Sequence, residues 1–103
     1  MYAHAEGRNT IASNEESHAE GFTTTASGKY SHAEGYKTEA SGTSSHAEGY
    51  AIEDKFVIAS GRGAHAEGTT TYSSVTASGA ASHAEGDSTT ASGDSSHAEG
   101  VRT

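Results

Sequence analysis

The sequence is dominated by the tetrapeptide His-Ala-Glu-Gly, which occurs seven times and contains every histidine of the chain. The copies begin at His4, His18, His32, His46, His65, His83 and His97. Successive copies are 14, 14, 14, 19, 18 and 14 residues apart. A fixed period of this kind is typical of solenoid proteins, in which each repeat is one structural unit stacked on the next.

A second element, Ala-Ser-Gly, lies between these copies. It begins at Ala26, Ala40, Ala59, Ala77 and Ala91. Ala12-Ser13-Asn14 is the same element with Asn in place of Gly, and we interpret this exchange as the need for a left-handed backbone, which Asn tolerates next best. Both elements fit the pattern Ser/Thr-x-Ala-x-Gly, so each 14-residue repeat consists of two half-repeats of seven residues.

The seven-residue period predicts β-strands and not helices. A coiled coil needs large apolar residues at two positions of each heptad, whereas these heptads offer one Ala and a Gly that costs about 1 kcal/mol in a helix. As strands, each half-repeat gives about five extended residues closed by a Gly-containing corner, with Ser, Ala and Gly on one face and His and Glu on the other. The sequence therefore predicts an all-β parallel solenoid of about seven 14-residue coils, in which each repeat position forms a column.

Composition sets what such a chain can do. It has no Leu, Pro, Cys or Trp, and 31% of its residues are hydrophobic, which predicts a small core whose burial is supplemented by stacking and by association with other chains. The net charge is −8 with His neutral, and the six Lys and Arg are scattered, so nucleic acid is not an expected partner. No apolar run is long enough to span a membrane, and we expect no membrane contact by this segment.

Two of the repeats are longer than the others. Both insertions fall after His-Ala-Glu-Gly and before Ala-Ser-Gly, and insertions at equivalent corners of a solenoid emerge on one side. Loops on a rigid scaffold commonly have binding functions. The candidate binding residues are Ile52, Glu53, Asp54, Lys55, Phe56 and Val57 in the first insertion, and Tyr72, Ser73, Ser74 and Val75 in the second. Contact with a neighbouring chain is the equally weighted alternative.

The Ser-x-Ala-x-Gly half-repeats, paired into 14-residue coils along the whole chain, resemble the head repeats of trimeric autotransporter adhesins of the Yersinia type. The resemblance implies a left-handed parallel β-roll, a homotrimer and binding to host matrix or another surface. It also implies a bacterial cell-surface location within a longer chain, of which residues 1–103 form a single repeat domain. The family usually has Val or Ile on either side of Ala, where this chain has His and Glu in one half-repeat.

The His and Glu columns are predicted to be a structural ladder. Its members are His4, His18, His32, His46, His65, His83 and His97 with Glu6, Glu20, Glu34, Glu48, Glu67, Glu85 and Glu99. Seven interchangeable copies do not describe one catalytic environment, so we assign no catalytic residue, no cofactor and no metal ligand. Imidazole–carboxylate hydrogen bonds are the expected role, inside the roll, at a trimer interface or towards solvent. A shared His cluster around a trimer axis, suited to Zn or Ni, is the lesser alternative.

Other functions remain open at this stage. A phage fibre or an appendage of a Gram-positive cell or spore shares the expected architecture. An ice-binding solenoid is a distant alternative, because the Thr stretches do not recur at one position of every coil. Phe22, Tyr36 and Tyr50 follow Gly in three consecutive coils and are predicted to stack, either as a corner packing or as a contact for carbohydrate or protein.

Overall fold

The computed structural model of the protein describes residues 2–103. These residues form thirteen β-strands, numbered β1 to β13 in chain order, and two parallel sheets. The odd-numbered strands are β1 (His4–Arg8), β3 (His18–Phe22), β5 (His32–Tyr36), β7 (His46–Ala51), β9 (His65–Thr70), β11 (His83–Asp87) and β13 (His97–Val101). The even-numbered strands are β2 (Ile11–Ala12), β4 (Thr25–Ala26), β6 (Thr38–Ala40), β8 (Val57–Ala59), β10 (Val75–Ala77) and β12 (Thr90–Ala91).

Each sheet stacks its strands in sequence order. The long-strand sheet contains the seven odd-numbered strands and the short-strand sheet contains the six even-numbered strands. Equivalent residues pair across neighbouring coils: His18 pairs with His32, and Ala26 pairs with Ala40. The register holds across the insertions, since His46 still pairs with His65. The predicted parallel β-solenoid of about seven coils is confirmed, and its principal extents are 36, 28 and 14 Å.

The interior is a set of columns of small residues. Ala from both half-repeats is fully buried in every central coil, because period-two alternation turns these side chains into the narrow space between the sheets. The neighbouring inner columns consist mainly of Ser in the long-strand sheet and of Thr or Val in the short-strand sheet. The largest fully buried side chains are Val57 and Val75. Small residues let the two sheets approach closely, which explains the absence of Leu from the chain.

Two expectations about the half-repeats were wrong in detail. The second half-repeat forms only two or three strand residues and not five. In the long-strand half-repeat the Gly has a positive φ, as at Gly21 (113°), and a second positive-φ residue lies two positions after it, as at Thr23 (φ 56°). In the short-strand half-repeat the Gly has an ordinary φ, and only the residue two positions after it is left-handed, as at Tyr30 (φ 59°). Backbone hydrogen bonds between successive corners hold these residues: Thr23 N donates to the carbonyl of Arg8 and Tyr30 N to that of Glu15, both at 2.9 Å.

Stacking requires the Gly of the inner half-repeats, whereas the first coil has Asn14 at one of these positions and the terminal Gly93 and Gly100 face no backbone of a further coil. A Cβ at Gly42 would lie 2.2 Å from the carbonyl oxygen of Gly61 in the next coil, and one at Gly35 would lie 2.2 Å from that of Gly49. Gly42 has an ordinary φ, and so does Asn14 at the equivalent position of the first coil. The interpretation of Asn14 as a left-handed substitute for Gly was therefore wrong.

Candidate functional site

The ladder residues lie on the outer face of the long-strand sheet. Each His and Glu flanks a buried Ala on its strand, so both side chains point away from the interior. The expected separation of Ser and Ala from His and Glu is confirmed, and the columns are not inside the roll. We call the surface formed by the seven His and seven Glu the His/Glu face. In the central coils about a third of each side chain is exposed, as for His46 at 35% and Glu34 at 34%.

The imidazole rings form one continuous stack along this face. Ring centroids of His32 and His46 are 4.7 Å apart with the planes inclined by 2°. Those of His65 and His83 are 4.7 Å apart with an angle of 3°. Only the first pair, which includes His4, deviates, with an angle of 21°. The repeat of the rings equals the spacing of hydrogen-bonded strands, so the sheet itself sets the imidazole stack.

A column of carboxylates runs beside the rings. Glu34 Oε1 lies 3.6 Å from Nε2 of His32 and 3.9 Å from Nε2 of His46. Closer contacts occur in the C-terminal coils, where Nε2 of His83 lies 3.1 Å from Glu67 Oε1 and Nε2 of His97 lies 3.0 Å from Glu85 Oε1. The expected imidazole–carboxylate hydrogen bonds are thus formed at that end of the face.

The N-terminal and central coils differ from this. Nε2 of His18, His32 and His46 is buried and has no hydrogen-bond partner, because the nearest carboxylate oxygens are 3.5 Å away or more. A buried nitrogen without a partner is unfavourable unless another group supplies the missing interaction. These three nitrogens are therefore polar atoms of the face whose hydrogen-bonding capacity is not satisfied within the chain.

Electrostatics keep the middle of the face negative. Burial lowers the pKa of the His46 imidazole below its ordinary value, and the charges of His65 and His32 lower this pKa further. The carboxylates of Glu48 and Glu34 oppose the shift without reversing it. His46 is therefore neutral at neutral pH, and the adjacent carboxylates are not balanced by it.

The donor atoms of the face match those of transition-metal ligands. One nitrogen each from His18 and His32 and one oxygen from Glu20 lie within 4.8 Å of one another, and the same grouping recurs up the stack. Imidazole nitrogen with carboxylate oxygen is a ligand set for Zn, Ni or Cu, and neutral imidazole is the form that binds. The structure contains no pocket within residues 2–103, so any ligand contacts an open surface.

The insertions and the aromatic ladder share one edge of the slab, at the corner that follows the long strands. Phe22 stacks on Tyr36 at 5.1 Å and Tyr36 on Tyr50 at 5.0 Å, as predicted. Arg8 lies over Phe22, 5.5 Å from its centroid. The first insertion begins just after Tyr50, so aromatic residues and inserted loops form a continuous surface. We call it the variable edge, formed by residues 8, 22, 36, 50, 52–56, 69 and 71–74.

Both inserted corners are held by hydrogen bonds to the next coil. Ile52 N donates to Thr70 Oγ1 at 3.0 Å, and Phe56 N donates to Ser74 Oγ at 3.1 Å. Among the candidate binding residues, Glu53, Asp54, Tyr72 and Ser73 are exposed, whereas Ile52, Lys55, Phe56 and Ser74 are half-buried. Lys55 lowers the pKa of the neighbouring Asp54 carboxyl by a hydrogen bond.

The inclusion of Val57 and Val75 among the binding residues was wrong. Both are fully buried, since they open strands β8 and β10 and fill the inner column that Thr24 and Thr38 occupy in other coils. A branched residue two positions before the Ala of Ala-Ser-Gly is the sequence signal that marks them as core.

Sequence reasoning missed the support of the second insertion. Thr71 N and Thr71 Oγ1 donate to the carboxylate of Asp87 at 2.9 and 2.6 Å, and these bonds lower the pKa of Asp87. Ser88 Oγ accepts from Tyr72 N at 2.9 Å. The signal was present, because Asp87 occupies the position where three earlier coils have Phe or Tyr.

Comparison with family models, with curated proteins and with solved structures finds no match. Within residues 2–103 there is also no helix long and apolar enough to cross a membrane.

Proposed function

We propose that the chain is a non-catalytic segment of a bacterial surface adhesin, in which three copies assemble side by side through their His/Glu faces. The resemblance of the repeats to trimeric autotransporter adhesin heads supports the proposal, and a parallel β-solenoid is the fold that such a segment needs. In this proposal the segment belongs to a longer chain on the cell surface and contacts host matrix or another surface.

The observation that supports assembly best is the repetition of one row seven times at a constant spacing. Each row places an imidazole beside a carboxylate, as at His32 and Glu34, and rows follow one another at 4.7 Å. Rotation about an axis parallel to the stack brings every row against the same row of the next copy. The imidazole of one copy then faces the carboxylate of its neighbour, so the face is complementary to itself. Closed rings of identical chains are the usual form of such assembly.

The size of the core gives a second argument for association. Apart from Val57 and Val75, the buried side chains are Ala, Ser and Thr. Burial stabilises in proportion to apolar area removed from water, so this core contributes little per residue. When three chains assemble, their His/Glu faces become covered. Imidazole surface that is exposed in a single chain is then buried.

The variable edge is the proposed ligand-binding surface. Tyr50 is 52% exposed and Tyr72 is 57% exposed, and both lie on corners that two stacked sheets hold rigidly. Arg102 lies over the Tyr72 ring, 4.3 Å from its centroid, which orients that side chain before any ligand binds. Exposed, oriented aromatic residues are favoured contacts in protein recognition.

Assembly is tested by light scattering after size-exclusion chromatography. The unmodified chain is expected to give about 31 kDa, three times its 10.4 kDa mass. His32→Asp with His46→Asp adds negative charge to the face and is expected to give a folded monomer. Ile58→Asp with Thr76→Asp makes the same change on the outer face of the short-strand sheet and should leave the trimer intact. A folded monomer from the unmodified chain would contradict the assembly.

Adhesion is tested separately on the assembled protein. Binding to surfaces coated with extracellular-matrix proteins is expected, and Tyr72→Ser is expected to reduce it. Tyr2→Ser is the matched control, because Tyr2 is 81% exposed and lies outside the variable edge. A trimer that binds no coated surface would remove the adhesin part of the proposal and leave the assembly in place.

A further inference from the structure

The aromatic ladder of the variable edge has two unlike ends. One face of the Phe22 ring is covered by the Arg8 guanidinium, 5.5 Å from the ring centroid, and the other by Tyr36 at 5.1 Å. Tyr36 in turn lies between Phe22 and Tyr50. Tyr50 stacks on Tyr36 with one face only, and it is 52% exposed, whereas Phe22 and Tyr36 are half-buried. The other face of the Tyr50 ring is therefore free and points along the stack towards the next coil.

The next positions of the same column leave room above this ring. Thr69 pairs with Tyr50, and Asp87 pairs with Thr69. Coils follow one another at about 4.8 Å, so Tyr50 and Asp87 lie two coils, or about 9.6 Å, apart along the stack. Thr69 leaves open the volume that a further ring of the ladder would fill, and it is exposed. We call this space between Tyr50 and Asp87 the notch.

Asp87 supplies a hydrogen-bond acceptor on the far side of the notch. Its carboxylate accepts hydrogen bonds from Thr71 N at 2.9 Å, from Thr71 Oγ1 at 2.6 Å and from Ser88 Oγ at 2.8 Å. Thr71 lies in the corner that follows the strand of Thr69, so these bonds incline the carboxylate towards the coil of Thr69. A carboxylate has about four lone-pair positions, so one position remains for a donor from a ligand.

A pyranose ring matches an aromatic surface on one side and a carboxylate on the other. A phenyl ring would also stack on Tyr50 but would bring no hydrogen-bond donor to Asp87. In β-galactose the C–H groups form an apolar patch on one face, and the axial 4-hydroxyl points away from the opposite face. With the apolar patch on Tyr50, this hydroxyl points towards Asp87. In glucose the same hydroxyl is equatorial and points sideways.

We propose that the notch binds a terminal β-galactose of a glycan, with its apolar face on Tyr50 and its axial hydroxyl donating to the Asp87 carboxylate. The inference gives a ligand class to the variable edge, so it rests on the proposed binding role of that edge, but it does not require a trimer. No closed pocket is present within residues 2–103. A single sugar in this open notch is therefore expected to bind with a dissociation constant on the order of 1 mM.

The test is a nuclear magnetic resonance titration of the full chain, labelled with ¹⁵N, with methyl β-galactoside and with methyl β-glucoside. The galactoside is expected to shift the amide signals of Tyr50, Thr69 and Asp87 until they saturate. The glucoside should bind roughly 10-fold more weakly or less, because it lacks the hydrogen bond to an ionised acceptor. Saturation transfer from the tyrosine rings should reach the protons of the apolar galactose face most strongly.

Variants distinguish the notch from the rest of the surface. Thr69→Tyr places a ring in the notch and should abolish galactoside binding in a folded protein. Tyr50→Ala removes the stacking surface and should do the same. Tyr30→Ala is the matched control, because Tyr30 is 50% exposed and lies on the opposite corner of the coil. Asp87→Asn retains an oxygen acceptor for Thr71 N and should reduce the preference for the galactoside over the glucoside.

The outcomes separate this inference from the proposed function. Loss of galactoside binding in Thr69→Tyr and Tyr50→Ala, but not in Tyr30→Ala, supports the inference. Equal binding of the two sugars, or galactoside binding unchanged by Thr69→Tyr, overturns it. A protein that binds matrix-coated surfaces but no galactoside overturns the inference and leaves the proposed adhesin function standing. A protein that binds galactoside through the notch but no matrix-coated surface supports the inference and removes the adhesin part of the proposed function.

Discussion

The two sheets have matching interiors and very different exteriors. Inside, both present small residues in register, and a Cβ on a stacking Gly of either sheet would collide with the next coil, as at Gly35 and Gly42. Outside, the long-strand sheet repeats His and Glu in every coil. The short-strand sheet presents a mixed column of Ile11, Thr25, Glu39, Ile58, Thr76 and Thr90. Packing within the chain explains the uniform interiors, but it does not require the uniform exterior of the long-strand sheet.

The largest expected effect comes from substitutions that disturb the packed interior between the two sheets. Gly42→Ala should destabilise the protein by about 3 kcal/mol, because the new methyl group overlaps a backbone oxygen that cannot move independently. Gly35→Ala should cost more, since Gly35 also has a φ of 109° that Ala adopts poorly. Urea unfolding followed by circular dichroism measures both.

Gly93→Ala is the control for these substitutions. Gly93 ends the last short-strand coil, and a Cβ there meets only the Ser96 side chain at 3.7 Å. A change within about 0.5 kcal/mol is expected. Equal destabilisation at Gly42 and Gly93 would show that the close approach of coils is not what requires Gly at this position.

A smaller effect distinguishes the inner columns of the two sheets. Ser45 Oγ donates to the carbonyl of Gly42 at 2.7 Å, so Ser45→Ala should destabilise by about 1 kcal/mol. Thr38 Oγ1 is buried without a partner, so Thr38→Val should stabilise by about 1 kcal/mol. Val57 and Val75 already occupy that column. Thermal unfolding of the two variants should shift in opposite directions, and equal signs would refute the distinction.

The smallest effect concerns pH and sharpens the contrast between the outer faces. The folded-state pKa of His46 is below its ordinary value of 6.5, so the unfolded chain binds more protons and stability falls as pH drops through 6.5 towards the folded pKa. In His46→Gln, the unfolding midpoint should change less between pH 7.5 and 5 than it does in the unmodified chain. His4→Gln, at a site 60% exposed, is the control. An unchanged slope in His46→Gln would show that His46 does not contribute to acid sensitivity.

The sequence was sufficient for the architecture because a strict repeat leaves few choices of register. His32 and His46 had to pair once the coils stacked, and the insertions had to emerge at one edge. The length of the second strand and the position of the left-handed corner were not predictable, since Thr23 and Tyr30 have no residue-type signal for positive φ. Burial of Val57 and Val75 was missed because an insertion suggested a loop where the inner column had already resumed. The unpartnered nitrogen of His32 depends on side-chain distances that no spacing rule gives.

Because equivalent residues pair between successive coils, recombination can change the number of coils in the solenoid. Removal of residues 18–31 would join Ser17 directly to His32, and the paired columns of both sheets would continue with one coil fewer. Duplication of the same segment would add one coil of about 4.8 Å. Unequal crossing-over within the coding sequence would therefore lengthen or shorten this segment in whole steps, with an unchanged cross-section and an uninterrupted His/Glu face.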